Sequence, residues 1–270
     1  MPDTFGGQLR AWRLARRVSQ EELAGRAGVS PRHVSFVENG KSQPSRELVL
    51  AFAGALDIPL RERNTLLTAA GYAAVFRASS LDGDELAHLR KAIDHVLRQQ
   101  EPYGAVVVDG HWDILRLNDG ATRLFRHFPP TTTDGALAAR NLVLGTCHPG
   151  ALRPYIVNWL DVAAHLIARL HREIAARPGD DLLGQLLARV LAQPDVPNEW
   201  RAPAPGRVAP PILSVHLRAP TLEVKLFTML TSIGTPLDVT AEEIHIESYF
   251  PADEVSEAAL RMMVSEAAGS

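Results

Sequence analysis

A single cysteine, Cys147, stands in 270 residues. That excludes a disulfide framework and a cysteine-based zinc site, and it fits a reducing compartment. Long apolar runs are missing too. No 18-residue apolar stretch occurs, and the start shows no apolar signal segment, so a cytoplasmic chain that avoids membranes is expected. The histidines are scattered, and no HExxH, Cys/His cluster, GxSxG, P-loop or GxGxxG is present. No metal, cofactor or enzymatic activity is therefore expected. His165 with Asp161 reads as a solvated helix face, and Cys147 beside His148 as a buried structural thiol. Repeats and low-complexity tracts are absent as well.

Charge is scarce only on average. The net charge of −3 argues against nucleic acid until the chain is divided. Residues 1–77 carry eleven Lys/Arg against seven Asp/Glu, a net +4 that leaves −7 for the rest. A basic N-terminal module on an acidic body suits a DNA reader joined to a sensing domain. The excess is modest, so tight binding calls for two copies.

The richest stretch is Ser19–Lys41, SQEELAGRAGVSPRHVSFVENGK. Ser19 with Glu22 three residues later forms a capping box. Leu23, Ala24 and Ala27 make an apolar stripe at helical spacing. Gly28 supplies a sharp stop, Ser30 caps the next helix, and Pro31 fills its first position. Val34 and Val37 face inward, and Asn39-Gly40 ends the helix. Two short helices with a tight turn and small crossing residues form a helix-turn-helix. The stretch, with FGGQLRAWRLARR before it and QPSRELVLAFAGALDIPLRERNTLLTAAGY after it, resembles the XRE-type, phage-repressor-like DNA-binding domain over residues 5–72. The resemblance implies five helices, and an ion pair between Arg13 and Glu38 at the end of the recognition helix. Pro31 departs from the pattern, standing where repressors often place a glutamine.

Further on, a helix is expected over about Glu85–Gln100, with Ile93 and Leu97 on its apolar face. Ala105–Val108 reads as a buried strand, Asp109-Gly110 as a hairpin turn, and Trp112–Leu117 as its partner. Asn118 opens a short helix, and Pro129–Asp134 reads as a polar loop. A long amphipathic helix is expected over Gly150–Arg177 and a short one over Asp181–Leu191. Gln193–Pro211 is Pro-rich and irregular. Strands follow at Ile212–Leu217, Leu222–Leu230 and Glu243–Phe250, then a helix at Val255–Val264. In the last strand Ile244, Ile246, Ser248 and Phe250 alternate with His245, Glu247 and Tyr249, as in a half-exposed strand. Two strands, helices, then three strands is a PAS-like layout. The segments EPYGAVVVDGHWDILRLN, NLVLGTCHPGALRPYIVNWLDVAAHLIARLHRE and SIGTPLDVTAEEIHIESYFPAD resemble the ligand-binding domain of MmyB-like regulators.

The fold class expected is thus α+β. It comprises an all-α five-helix lambda-repressor-like domain at 1–77, a linker at 78–84, and a PAS-like ligand-binding and dimerisation domain with a five-stranded antiparallel sheet at 85–270. Arg32, His33, Ser35 and Phe36 point away from Val34 and Val37 and are candidates for DNA contact. Arg32 can grip guanine bidentately, and Phe36 can touch a thymine methyl. Gln20, Arg17 and Lys41 are candidate phosphate partners. Near the start of the long helix, Arg153 and Asn158 are candidates to clamp a polar head. The MmyB-like resemblance implies a small apolar ligand such as a long-chain fatty acid. A homodimer on an inverted repeat of double-stranded DNA is expected because one copy with +4 local charge binds weakly and a palindrome demands two-fold symmetry. The competing reading is a DNA-binding adaptor or antitoxin-like protein whose C-terminal domain binds only protein.

Overall fold

The computed structural model describes residues 4–203 and 212–268. Two compact units make up the chain. The first is Met1–Ser80 joined by Arg172–Asp181 and Thr235–Glu242, and the second is the remainder.

The first unit is built on five helices: α1 (Phe5–Ala15), α2 (Gln20–Ala27), α3 (Pro31–Glu38), α4 (Arg46–Ala55) and α5 (Leu60–Ala69). Their ends follow from local chemistry. Both halves of the capping box form, with Ser19 Oγ accepting from Glu22 N at 3.1 Å and Glu22 Oε2 accepting from Ser19 N at 2.8 Å. Gly28 stops α2 in the left-handed region at φ 70°. There a side chain would strain the backbone. Ser30 Oγ accepts from His33 N, with Pro31 at the first helical position. Leu9, Trp12, Leu23, Val34, Val37 and Phe52 close the core between them. A stretch from late in the chain supports α5, whose N-cap Pro59 has no side-chain cap of its own. Glu242 Oε2 accepts from Leu60 N at 2.6 Å, and nearby Asp238 accepts from Ser79 N.

The second unit carries a sheet of β1 (Ala105–Val108), β2 (Ile114–Leu117), β3 (Ser214–Ala219), β4 (Leu222–Ser232) and β5 (His245–Pro251). All pairs are antiparallel in the order β2-β1-β5-β4-β3, with Val107 opposite Ile246 and Thr228 opposite Tyr249. This is the PAS-like arrangement expected. Its helices are α6 (Ala87–Gln99), α7 (Asp119–Arg126), α8 (Thr133–Ala138), α9 (Leu142–Cys147), most of α10 (Trp159–Ala176), α11 (Asp181–Leu191) and α13 (Glu254–Ala268), while α12 (Val239–Glu243) lies in the segment that joins the first unit. Ile93 and Leu97 of α6 pack on one sheet face against Ala105, Val107 and Ile246.

Several boundaries differ from the sequence expectation. The long helix begins at Trp159 rather than Gly150. Pro154 sits in a 3-10 turn at Arg153–Tyr155, and the chain then runs extended, pairing Ile156 with Leu217 and donating Val157 N to His216 O at 2.8 Å. The Asp109 hairpin is longer than two residues. The Asp109 carboxylate accepts from His111 N and Asp113 N, and Trp112 adopts φ 70°. The expected polar loop at Pro129–Asp134 ends early, because α8 begins within it at Thr133; α8 and α9 are capped by Thr132 and Asn141. Part of the irregular Gln193–Pro211 segment lies outside the described residues.

Candidate DNA-reading surface and ligand cavity

Helix α3 buries Val34, Val37 and Glu38 and leaves Arg32 and Phe36 outward. These two lie one turn apart, and the Arg32 guanidinium carbon sits 5.1 Å from the Phe36 ring centroid. Phe36 is 37% exposed, so the stack is presented rather than hidden. Cation–π contact restrains the arginine without consuming its hydrogen-bond donors. His33 and Ser35 are half-buried beside them, and Ser35 O accepts from Asn39 Nδ2 at 2.7 Å. Arg17 and Lys41 are exposed; Arg17 has φ 56°. The side chain of Gln20 turns to its own protein, donating to Glu38 Oε2 at 2.7 Å. Glu38 also receives Arg13 through two bonds, Nε to Oε1 at 2.6 Å and Nη2 to Oε2 at 3.0 Å. Arg13 Nη1 donates to Val18 O, which ties the pair to the start of the helix-turn-helix.

On the sheet face opposite α6 lies a cavity of about 450 Å³. Its apolar walls include Leu142 and Val143 of α9, Val162 and Leu166 of α10, and Leu217 and Leu226 of the sheet. Polar side chains on it come from four elements: Thr146 of α9, His165 and Arg169 of α10, Thr228 of β4, and Glu247 and Tyr249 of β5. The Arg169 guanidinium carbon lies 4.4 Å from the Trp112 ring centroid. Burial pushes the Glu247 carboxyl up, against the opposing effects of a hydrogen bond from Thr228 and the charge of Arg169. Burial likewise raises the Tyr249 phenol well above its ordinary value. A few fixed polar groups in an apolar hollow orient an amphiphile.

Arg153 and Asn158 do not line this cavity. Arg153 donates to Pro194 O at 2.5 Å and to Asp195 Oδ2 at 2.8 Å, and its guanidinium carbon lies 3.7 Å from the Trp159 ring centroid. Asn158 donates to Ser214 O at 2.7 Å and accepts from His216 N at 3.0 Å. Both fasten neighbouring segments to the entry of α10. The guanidinium in the cavity wall is that of Arg169. Its spacing from Val162, His165 and Leu166 was the available signal. That face of α10 differs from the stripe through Ala163, Ile167 and Leu170, so the helix buries two faces. Cys147 is buried, and desolvation pushes its thiol up to about 12, which disfavours the thiolate. Among the described residues no group of His, Cys, Asp or Glu could hold a metal ion, and no helix is long and apolar enough to cross a membrane.

Comparison with known proteins follows the same division. Residues 89–263 match the MmyB-like transcription regulator ligand binding domain, and residues 9–63 match a helix-turn-helix family. The chain belongs to the MmyB-like family. No curated protein matches it. Among solved structures, an RNA-binding light-oxygen-voltage receptor aligns over 97% of this chain at 12% identity with a TM-score of 0.27. The chain spans 63% of that receptor's length, and a likeness this weak carries no argument.

Proposed function

We propose that the chain is a transcription regulator that reads DNA through α3 and whose DNA affinity answers to a small amphiphile in the second unit. The observation that carries this reading is the apolar cavity with Arg169 and Glu247 at its wall, on the same chain as a helix-turn-helix unit. The finer reading is a homodimer on an inverted repeat, since one copy with +4 local charge binds weakly. The ligand is a long-chain fatty acid with its carboxylate at Arg169. Burial raises the Glu247 carboxyl, which lessens its repulsion of that head.

Two measurements test the reading. Arg32→Ala should weaken binding of the full chain to its operator by about 1–3 kcal/mol and relax preference at one base pair per half-site. Equal loss on every sequence would make Arg32 a phosphate contact instead, and a full chain with no preferred site would end the DNA reading. Arg169→Leu should lower affinity for a long-chain acid about tenfold or more, the order of a charged hydrogen bond. Affinity for the neutral methyl ester should hold. Equal losses for acid and ester would remove Arg169 from the head-group role.

A further inference from the structure

A second cavity, of about 200 Å³, adjoins the first, and the two share Phe125, Leu142, Thr146 and Leu152 in their walls. Past this partition the smaller cavity is bounded by Ile114 and Leu117 of β2, by Phe128 and Pro130, and by Ala139 and Ala151. Its polar wall residues, Asn141 and Thr146, are already committed. Asn141 Nδ2 donates to His111 O and to Asp113 Oδ1, each at 2.8 Å, while its Oδ1 accepts from Leu144 N at 3.0 Å. The Thr146 hydroxyl donates to Leu142 O at 2.8 Å. What this space offers a guest is therefore apolar surface. The groups able to hold a polar head, Arg169, Thr228 and Glu247, border only the larger cavity.

We infer that the smaller cavity is the tail chamber for an acyl chain, and that Phe125 is the partition that sets how long a chain the protein accepts. The inference rests on the proposed acid ligand and adds a direction and a length limit to it. Phe125 is the aromatic member of the shared wall. Its ring meets Tyr249 edge-on with centroids 6.0 Å apart, so it belongs to the lining of the larger cavity while closing the smaller. Where the two spaces meet, this ring stands with Leu142, Thr146 and Leu152 between them. Ala139, half-buried at the far wall, is small where a larger side chain would occupy the second space.

The test is a series of straight-chain acids, from octanoate to octadecanoate, titrated against the full chain and two variants. Ala139→Leu should shorten the preferred chain, with each excluded methylene lowering affinity about fourfold, equivalent to ~0.8 kcal/mol. Phe125→Ala should do the reverse and favour longer acids. Ala139→Leu, at a residue that borders only the smaller cavity, should bind the shortest acids that the wild type binds with little change, which also reports that it folds, and a thermal melt reports the folding of Phe125→Ala. Opposite shifts support the tail chamber. A wild type that binds the series while both variants keep its length profile overturns it and leaves the acid reading standing. A wild type that binds none of the acids overturns both.

Discussion

Replacing Glu38 with alanine should destabilise the DNA-binding unit by about 3–5 kcal/mol, the usual result of stripping one partner from a buried ion pair. The Glu38 side chain is 2% exposed and that of Arg13 10%. Without the carboxylate, the guanidinium keeps its charge in a mostly buried site and retains Val18 O as its hydrogen-bond acceptor. Gln20 loses its acceptor as well. Against a domain stability of about 5–15 kcal/mol this is a large share. At roughly 4–8 °C per kcal/mol for a unit of this size, the melting transition should fall by more than about 10 °C. Operator affinity should fall with it, because the pair joins α1 to the end of the recognition helix. The paired change Arg13→Met with Glu38→Leu should recover most of the stability, since apolar side chains of similar volume carry no uncompensated charge. Thermal melts of the full-chain single and double variants decide the matter. A Glu38→Ala protein that melts within a degree or two of wild type would mean the pair is solvated and contributes nothing.

The helix-turn-helix was legible because each of its signals is local. Ser19 and Glu22, Gly28, Ser30 and Pro31 act within one turn of their own position, and all of them form as the sequence implies. The five strands were legible more coarsely, through spacing and turn residues. Two things were not. The alternation in β5 reads as a polar face toward water, yet Glu247 and Tyr249 face the cavity. Period two reports that one face is polar, but not whether solvent or a ligand space covers it. The same ambiguity hid Arg169, placed on a second buried face of α10. The other illegible feature is long-range. Nothing in Thr235–Glu242 announces that Glu242 will cap α5, because an acceptor for Leu60 N can come from any segment that folds back to it.

Two glycines of the second unit should respond to alanine in opposite directions. Gly135 lies in the first turn of α8. An ideal Cβ there would stand 1.8 Å from the Gly150 carbonyl oxygen, and one on Gly150 would stand 2.1 Å from Thr132 Oγ1. The obstacle at Gly135 is backbone that is itself bound. Gly150 O accepts from Thr131 N at 2.9 Å, and Thr132 Oγ1 accepts from Gly135 N at 3.0 Å. No flexible side chain can yield, so the turn before Leu152 must shift. Gly135→Ala should therefore be destabilising by about 3 kcal/mol or more, at or past the upper end for overpacking. Ligand affinity should fall with it, because Leu152 lines both cavities. Gly184, in the interior of α11, has nothing within 4 Å of its ideal Cβ. There alanine removes unfolded-state freedom and favours the helix, so Gly184→Ala should stabilise by about 0.5–1 kcal/mol. Denaturant midpoints of the two variants, measured side by side on the full chain, test the claim. If both fall equally, close backbone approach is not what holds Gly135 in place.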